Sequence, residues 1–137
     1  MNKLIFCTIL FPFSAFSQTF FVEKTDSQEA GVPVKTEVEQ TINRIINAKL
    51  VELGEEVTIE TIEADYIVNP VLIRKSGYGK AAKCYIAFVK TDSGEEVLRS
   101  QIDKGMRSAM QGMKNPFVLC FDRIITKQFP KLLPSLD

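Results

Sequence analysis

The 137-residue chain contains no histidine and no tryptophan. Without histidine it lacks the Ser-His-Asp and Cys-His catalytic arrangements, the HExxH zinc motif and the side chain that switches charge near neutral pH. Net charge is missing too. Seventeen basic and 17 acidic residues cancel, so no overall field draws the chain to nucleic acid or to an anionic membrane. Cysteine is scarce, with three residues and no CxxC spacing. What is present, 45% hydrophobic and 25% charged residues, is the balance of a globular domain, and the length allows one.

The N-terminus carries a leader. Lys3 precedes the apolar run Leu4–Phe13 (LIFCTILFPF), and Ala15 and Ser17 place small residues at the two positions a signal peptidase reads. The run is too short for the ~20 apolar residues that span a bilayer. A signal peptide over 1–17 is therefore expected, with a mature chain from Gln18 and no membrane span after cleavage. Removing Lys3 leaves 16 basic residues against 17 acidic ones.

Two cysteines remain in the mature chain, Cys84 and Cys120. An oxidising compartment favours joining them, whereas two separate buried thiols would act as small hydrophobes. Redox or metal chemistry is a third reading. Alternation puts Cys84 on an apolar strand face with Ala82, Ile86 and Phe88. Helical spacing puts Cys120 beside Phe117, Phe121 and Ile124, so strand and helix could meet at the two sulfurs.

Along the mature chain, residues 18–31 read as a linker or short first strand (TFFVEK, 19–24). Thr36 and Glu39 have capping-box spacing, Val38, Ile42, Ile45, Ile46 and Leu53 recur with helical period, and Gly54 stops the helix. VTIETI (57–62) alternates weakly. ADYIVNPVLIRK (64–75) reads as a strand, with Pro70 suggesting an edge or bulge because proline donates no ladder hydrogen bond. SGYG turns, KAAKCYIAFVKT (80–91) returns, DSGE turns again, and EEVLRSQI (95–102) is the next strand. Residues 103–115 are ambiguous. Asn115 and Pro116 have the N-cap and first-turn pattern for a helix over 117–129. The expected fold is α+β: an antiparallel three- to four-stranded sheet with two main helices on one face, in the order β-α-β-β-β-α, forming one domain over 18–137.

Three groups of residues could carry chemistry. Met106, Met110 and Met113 share one helical face; they could pack in the core, form a partner surface or bind Cu(I). Arg74, Lys75, Lys80 and Lys83 surround the glycine turn SGYGK and could hold an anion, although a solvated hairpin tip is the plainer account. Glu52, Glu55, Glu56, Glu60, Glu63 and Asp65 form an acidic stretch with no EF-hand pattern. It reads as a solvated face or as the partner of the basic hairpin.

The stretch Ala64–Ile102, with ADYIV entering a strand, a glycine turn and then VKTDSGEEVLRS, resembles small bacterial envelope domains. It is similar to the curli-secretion lipoprotein family and to the N-terminal domain of TolB-like proteins. The chain lacks the lipobox cysteine of the first and the propeller of the second. The resemblance implies fold and compartment, and carries over no catalytic residue. The reading is a non-enzymatic exported accessory or binding domain of the bacterial envelope, without a cofactor, whose partner is another envelope protein. The alternatives are a metal or anion carrier using the methionines or the basic hairpin, and a small carboxylate- or thiol-dependent enzyme.

Overall fold

Two nine-residue strands, β4 (Tyr66–Arg74) and β5 (Ala82–Lys90), form the middle of a seven-stranded sheet. The computed structural model describes residues 18–28, 34–74, 81–105 and 115–136. The expected leader, the expected SGYGK turn with Lys75 and Lys80, and Met106, Met110 and Met113 lie outside the described residues. The other strands are β1 (Thr19–Val22), β2 (Asp26–Ser27), β3 (Glu56–Val57), β6 (Glu95–Arg99) and β7 (Asp103–Gly105). Helices α1 (Thr36–Glu52), α2 (Pro116–Lys127) and the short α3 (Phe129–Leu132) complete the order, with 3-10 turns at Thr61–Glu63 and Leu133–Ser135.

The α+β class and the helix-on-one-face packing hold, but the sheet is mixed rather than antiparallel. The main strand order is β3-β1-β4-β5-β6. β1 and β2 both run parallel to β4, and β3 runs parallel to β1. The reason is the helix between β1 and β4. A chain that leaves one strand, crosses by a helix and re-enters the same sheet beside it arrives parallel.

Pro70 is not at an edge. It is fully buried in central β4, opposite Ile86. On its other side β1 ends and β2 has not begun, since β1 pairs residues 66–68 of β4 and β2 pairs 71–72. The absent N–H therefore falls at a break in the neighbouring strand, where a ladder bond has no place. The segment expected as a polar linker is thus partly sheet, through β2 and the bond from Gln28 N–H to the Leu72 carbonyl at 2.8 Å.

Helix α1 starts one residue from the expected place. Lys35 is the N-cap and no side chain caps it, so the Thr36–Glu39 capping box is not formed. Gly54, at φ 87°, turns the chain after the helix as expected. The buried stripe is Ile42, Ile46 and Leu50, with Val38, Ile45 and Leu53 half-buried at its margin. By contrast, the start of α2 is as read: Asn115 Oδ1 accepts from Phe117 N–H at 2.8 Å, with Pro116 in the first turn.

Both helices press on one sheet face carrying Phe20, Val22, Tyr66, Val68, Cys84, Ile86 and Phe88. Phe20 stacks on Tyr66 and meets Phe88 edge-on, and Phe88 contacts Phe129, with ring centroids 5.7, 6.3 and 5.6 Å apart. This aromatic row ties β1, β4 and β5 to the C-terminal helices. Among the described residues no helix is long and apolar enough to cross a membrane.

Candidate interaction surface

Cys84 of β5 and Cys120 of α2 are joined as a disulfide, with Cα atoms 6.3 Å apart. Both are wholly buried, and the Cys120 sulfur lies 3.2 Å from the Asp103 carbonyl oxygen. A bonded, buried sulfur offers neither a thiolate nucleophile nor a metal ligand. The pair staples sheet to helix.

Of the basic residues, Lys83 is half-buried on β5. Strand register places it opposite Lys104 of β7 and Arg74 of β4. Lys104 was not legible as its neighbour, because only the pairing of β7 with β5 brings it there. The remaining hairpin cations and the three methionines fall outside the described residues.

A groove of about 460 Å³ runs between α1 and α2, floored by Val38, Ile45, Val118 and Leu119, with Glu37 and Asp122 at its rim. Both carboxylates are exposed. On the sheet face away from the helices, the Arg99 guanidinium lies 4.2 Å from the Tyr85 ring centroid. It also donates to both carboxylate oxygens of Glu96 at 2.9 and 3.0 Å. Those bonds hold its pKa above the ordinary arginine value. Gln28 Nε2 donates to the Tyr85 hydroxyl at 3.1 Å.

The most unusual surface is the β3 edge. VTIETI forms only the end of a two-residue strand and then a 3-10 turn: its ladder with β1 stops at Phe20–Val57, although β1 runs on to Val22. Glu56 N–H bonds to the Gln18 carbonyl and Thr58 N–H to the Phe20 carbonyl, at 3.0 and 2.9 Å. Val57, between them, points its amide away from β1. Ile59 and Ile62 are 93% and 88% exposed, and Val57 38%. No basic residue occurs from Leu50 to Ile73, whereas Glu55, Glu56, Glu60, Glu63 and Asp65 all do. The sequence marks the acids; it does not show that the isoleucines among them stay in water.

Neither a protein-family model nor a curated protein matches the chain. Its fold, however, is found among solved bacterial structures. Protein XCC0632 from Xanthomonas campestris, described under DUF330, is 10% identical, covering 87% of this chain and 85% of that one at TM-score 0.56. Lipoprotein GNA1162 from Neisseria meningitidis is 11% identical, covering 88% and 99% at TM-score 0.51. A PelC dodecamer from Paraburkholderia phytofirmans is 13% identical, covering 80% and 86% at TM-score 0.48. The first two establish the fold, and the resemblance to small bacterial envelope domains read from Ala64–Ile102 holds at that level.

Proposed function

We propose that this chain is a non-enzymatic accessory domain exported to the bacterial envelope, where it binds another envelope protein along the β3 edge. The observation that carries this reading is the pair of isoleucines, Ile59 and Ile62, standing almost free in solvent on an acidic edge. Burying one such side chain is worth roughly 1.5–3 kcal/mol, and folding leaves that stabilisation unused. Charge selects the occupant. Five carboxylates within 55–65, with no base among them, repel anionic lipid headgroups and attract a cationic polypeptide. The occupant is an extended segment in which lysine or arginine alternates with apolar residues. It would seat its apolar side on Val57, Ile59 and Ile62 and extend the sheet beyond β3. The leader pattern and the likeness in fold to a lipoprotein support the compartment.

The test is a titration with a fluorescent peptide alternating lysine and valine, against an acidic peptide of the same valine spacing. Binding of the lysine peptide, weakened by salt and about tenfold or more by Ile59→Ser with Ile62→Ser, supports the reading. Equal binding of both peptides, binding indifferent to the serine changes, or preference for phosphatidylglycerol vesicles overturns it.

A further inference from the structure

The first described backbone nitrogen does not face open solvent. Gln18 N lies 2.8 Å from Glu55 Oε2, and the next nitrogen, that of Thr19, lies 3.0 Å from Asp65 Oδ2. Gln18 and Glu55 are both half-buried. The Glu55 carboxylate is placed by a defined turn: Gly54 reverses the chain after α1, and Glu55 N–H bonds back to the Leu50 carbonyl at 2.9 Å. Gln18 is held on two further sides. Its carbonyl accepts from Glu56 N–H at 3.0 Å, and its side-chain Nε2 lies 3.4 Å from the Leu136 carbonyl oxygen.

Gln18 is also the residue that follows the small-residue pattern Ala15-Phe16-Ser17. We propose that Glu55 is a built receptor for the chain's own processed N-terminus: cleavage between Ser17 and Gln18 creates an α-ammonium that Glu55 holds. Hydrolysis adds water across that peptide bond. Ser17 takes the carboxylate, and the Gln18 nitrogen, with a proton taken up, becomes a cation. The bond to the Glu55 carboxylate, in which only the acceptor is charged, thereby becomes one in which donor and acceptor are both charged, and it is strengthened. Glu55 and Asp65, which meet the first two nitrogens, are of one sign, and their own segment, Leu50–Ile73, supplies no base to offset them. The ammonium supplies the missing counter-charge.

Two consequences follow from the geometry. Cleavage one bond earlier would leave the Gln18 nitrogen a neutral amide against Glu55, with the ammonium one residue, about 3.3–3.6 Å, further along the chain. In addition, an N-terminal glutamine closes to a lactam when its neutral amine attacks its own side-chain carbonyl carbon and expels ammonia. Glu55 keeps that amine protonated, and the Leu136 carbonyl holds the side-chain amide. The mature terminus is therefore a free amine.

The test starts from the full chain expressed with its leader in an exporting bacterial host, followed by intact-mass measurement and N-terminal sequencing of the processed protein. The expected product is Gln18–Asp137 with an unblocked amine. Its α-amine is then acylated near neutral pH with an amine-reactive ester. The wild type should react roughly tenfold more slowly than Glu55→Gln, the effect of about one unit in the amine's pKa. Circular dichroism establishes that the variant is folded, and Glu55→Asp, which keeps the charge, supplies the comparison if it is not. A first residue other than Gln18, a lactam-blocked terminus, or equal acylation rates overturns the proposal.

Discussion

Pro70 and Ile86 face each other across the two central strands without exchanging a hydrogen bond. Both backbone groups of Ile86 are taken by Ser100 instead: its N–H donates to Ser100 Oγ at 2.9 Å, and its carbonyl accepts from Ser100 N–H at 2.8 Å. Ser100 sits where the chain passes from β6 to β7, so its hydroxyl closes a gap in one flanking strand just as the break between β1 and β2 accommodates proline in the other. Each long strand thus has an interrupted neighbour, and each interruption lies at the Pro70–Ile86 pair.

Ser100→Ala should therefore be costly for so small a change. Ser100 is buried, and without its hydroxyl the Ile86 N–H is left without an acceptor inside the sheet. The expected loss is about 1–3 kcal/mol, read from the urea midpoint by circular dichroism. A midpoint equal to wild type would show that water replaces the hydroxyl.

The same substitution at two isoleucines should give opposite results. Ile46 is wholly buried on the inner stripe of α1, whereas Ile59 stands in solvent. Ile46→Asp forces an unpaired carboxylate into the core, costing several kcal/mol and preventing folding or nearly so. Ile59→Asp should stay within about 0.5 kcal/mol of wild type. Comparable melting temperatures for the two would contradict the burial of α1.

Much of this architecture was legible because its signals are local. The alternation through Ala82, Cys84, Ile86 and Phe88 marks β5, and Asn115 with Pro116 marks the start of α2. The meeting of Cys84 with Cys120 could be proposed because each sat on an apolar face. Sheet type was not legible, since it depends on β1, four residues long, pairing with β4 across a helix. Nothing in TFFV specifies that partner. Pro70 misled for a related reason: proline avoids a ladder bond, and only the non-local break between β1 and β2 shows that the bond is not required. At the candidate surface the acids could be read directly, but the exposure of Ile59 and Ile62 could not. Their alternation with polar residues is that of a half-buried strand, but the ladder with β1 stops at Phe20–Val57, before either isoleucine.

Gly105 is predicted to tolerate no side chain. A Cβ there would overlap the Pro116 carbonyl oxygen and lie 2.6 Å from the Cys120 backbone nitrogen. Both are main-chain atoms at the start of α2, which is anchored by the Asn115 cap and the disulfide. They cannot swing aside as a flexible side chain would. Gly105→Ala should cost about 1–3 kcal/mol or more through overpacking, with β7 or α2 displaced. Gly94→Ala is the useful contrast, because no atom lies within 4 Å of its added Cβ but its φ of 69° favours glycine. Its cost should be confined to backbone strain of order 1 kcal/mol. Equal losses for the two would mean that α2 yields freely.

Reduction of the disulfide separates its role as a cross-link from its role in packing. Cys84 and Cys120 are 36 residues apart in sequence, so the bond restricts the unfolded chain by a loop worth roughly 3–4 kcal/mol on the chain-entropy account. In the folded state both sulfurs are buried in the main core. The reduced thiols would still fill that space as small hydrophobes, so the fold should survive with a lower urea midpoint. Substituting both cysteines with alanine removes the sulfur atoms as well and should cost more than reduction, the excess reporting the cavity. Since neither sulfur is exposed, reductant should reach the bond only when sheet and helix part, and the reduction rate should rise with urea. The decisive measurement is unfolding by circular dichroism with and without reductant, after thiol titration has shown that reduction is complete. An unchanged midpoint with two free thiols would show that the bond adds no stability and that core packing alone holds β5 to α2.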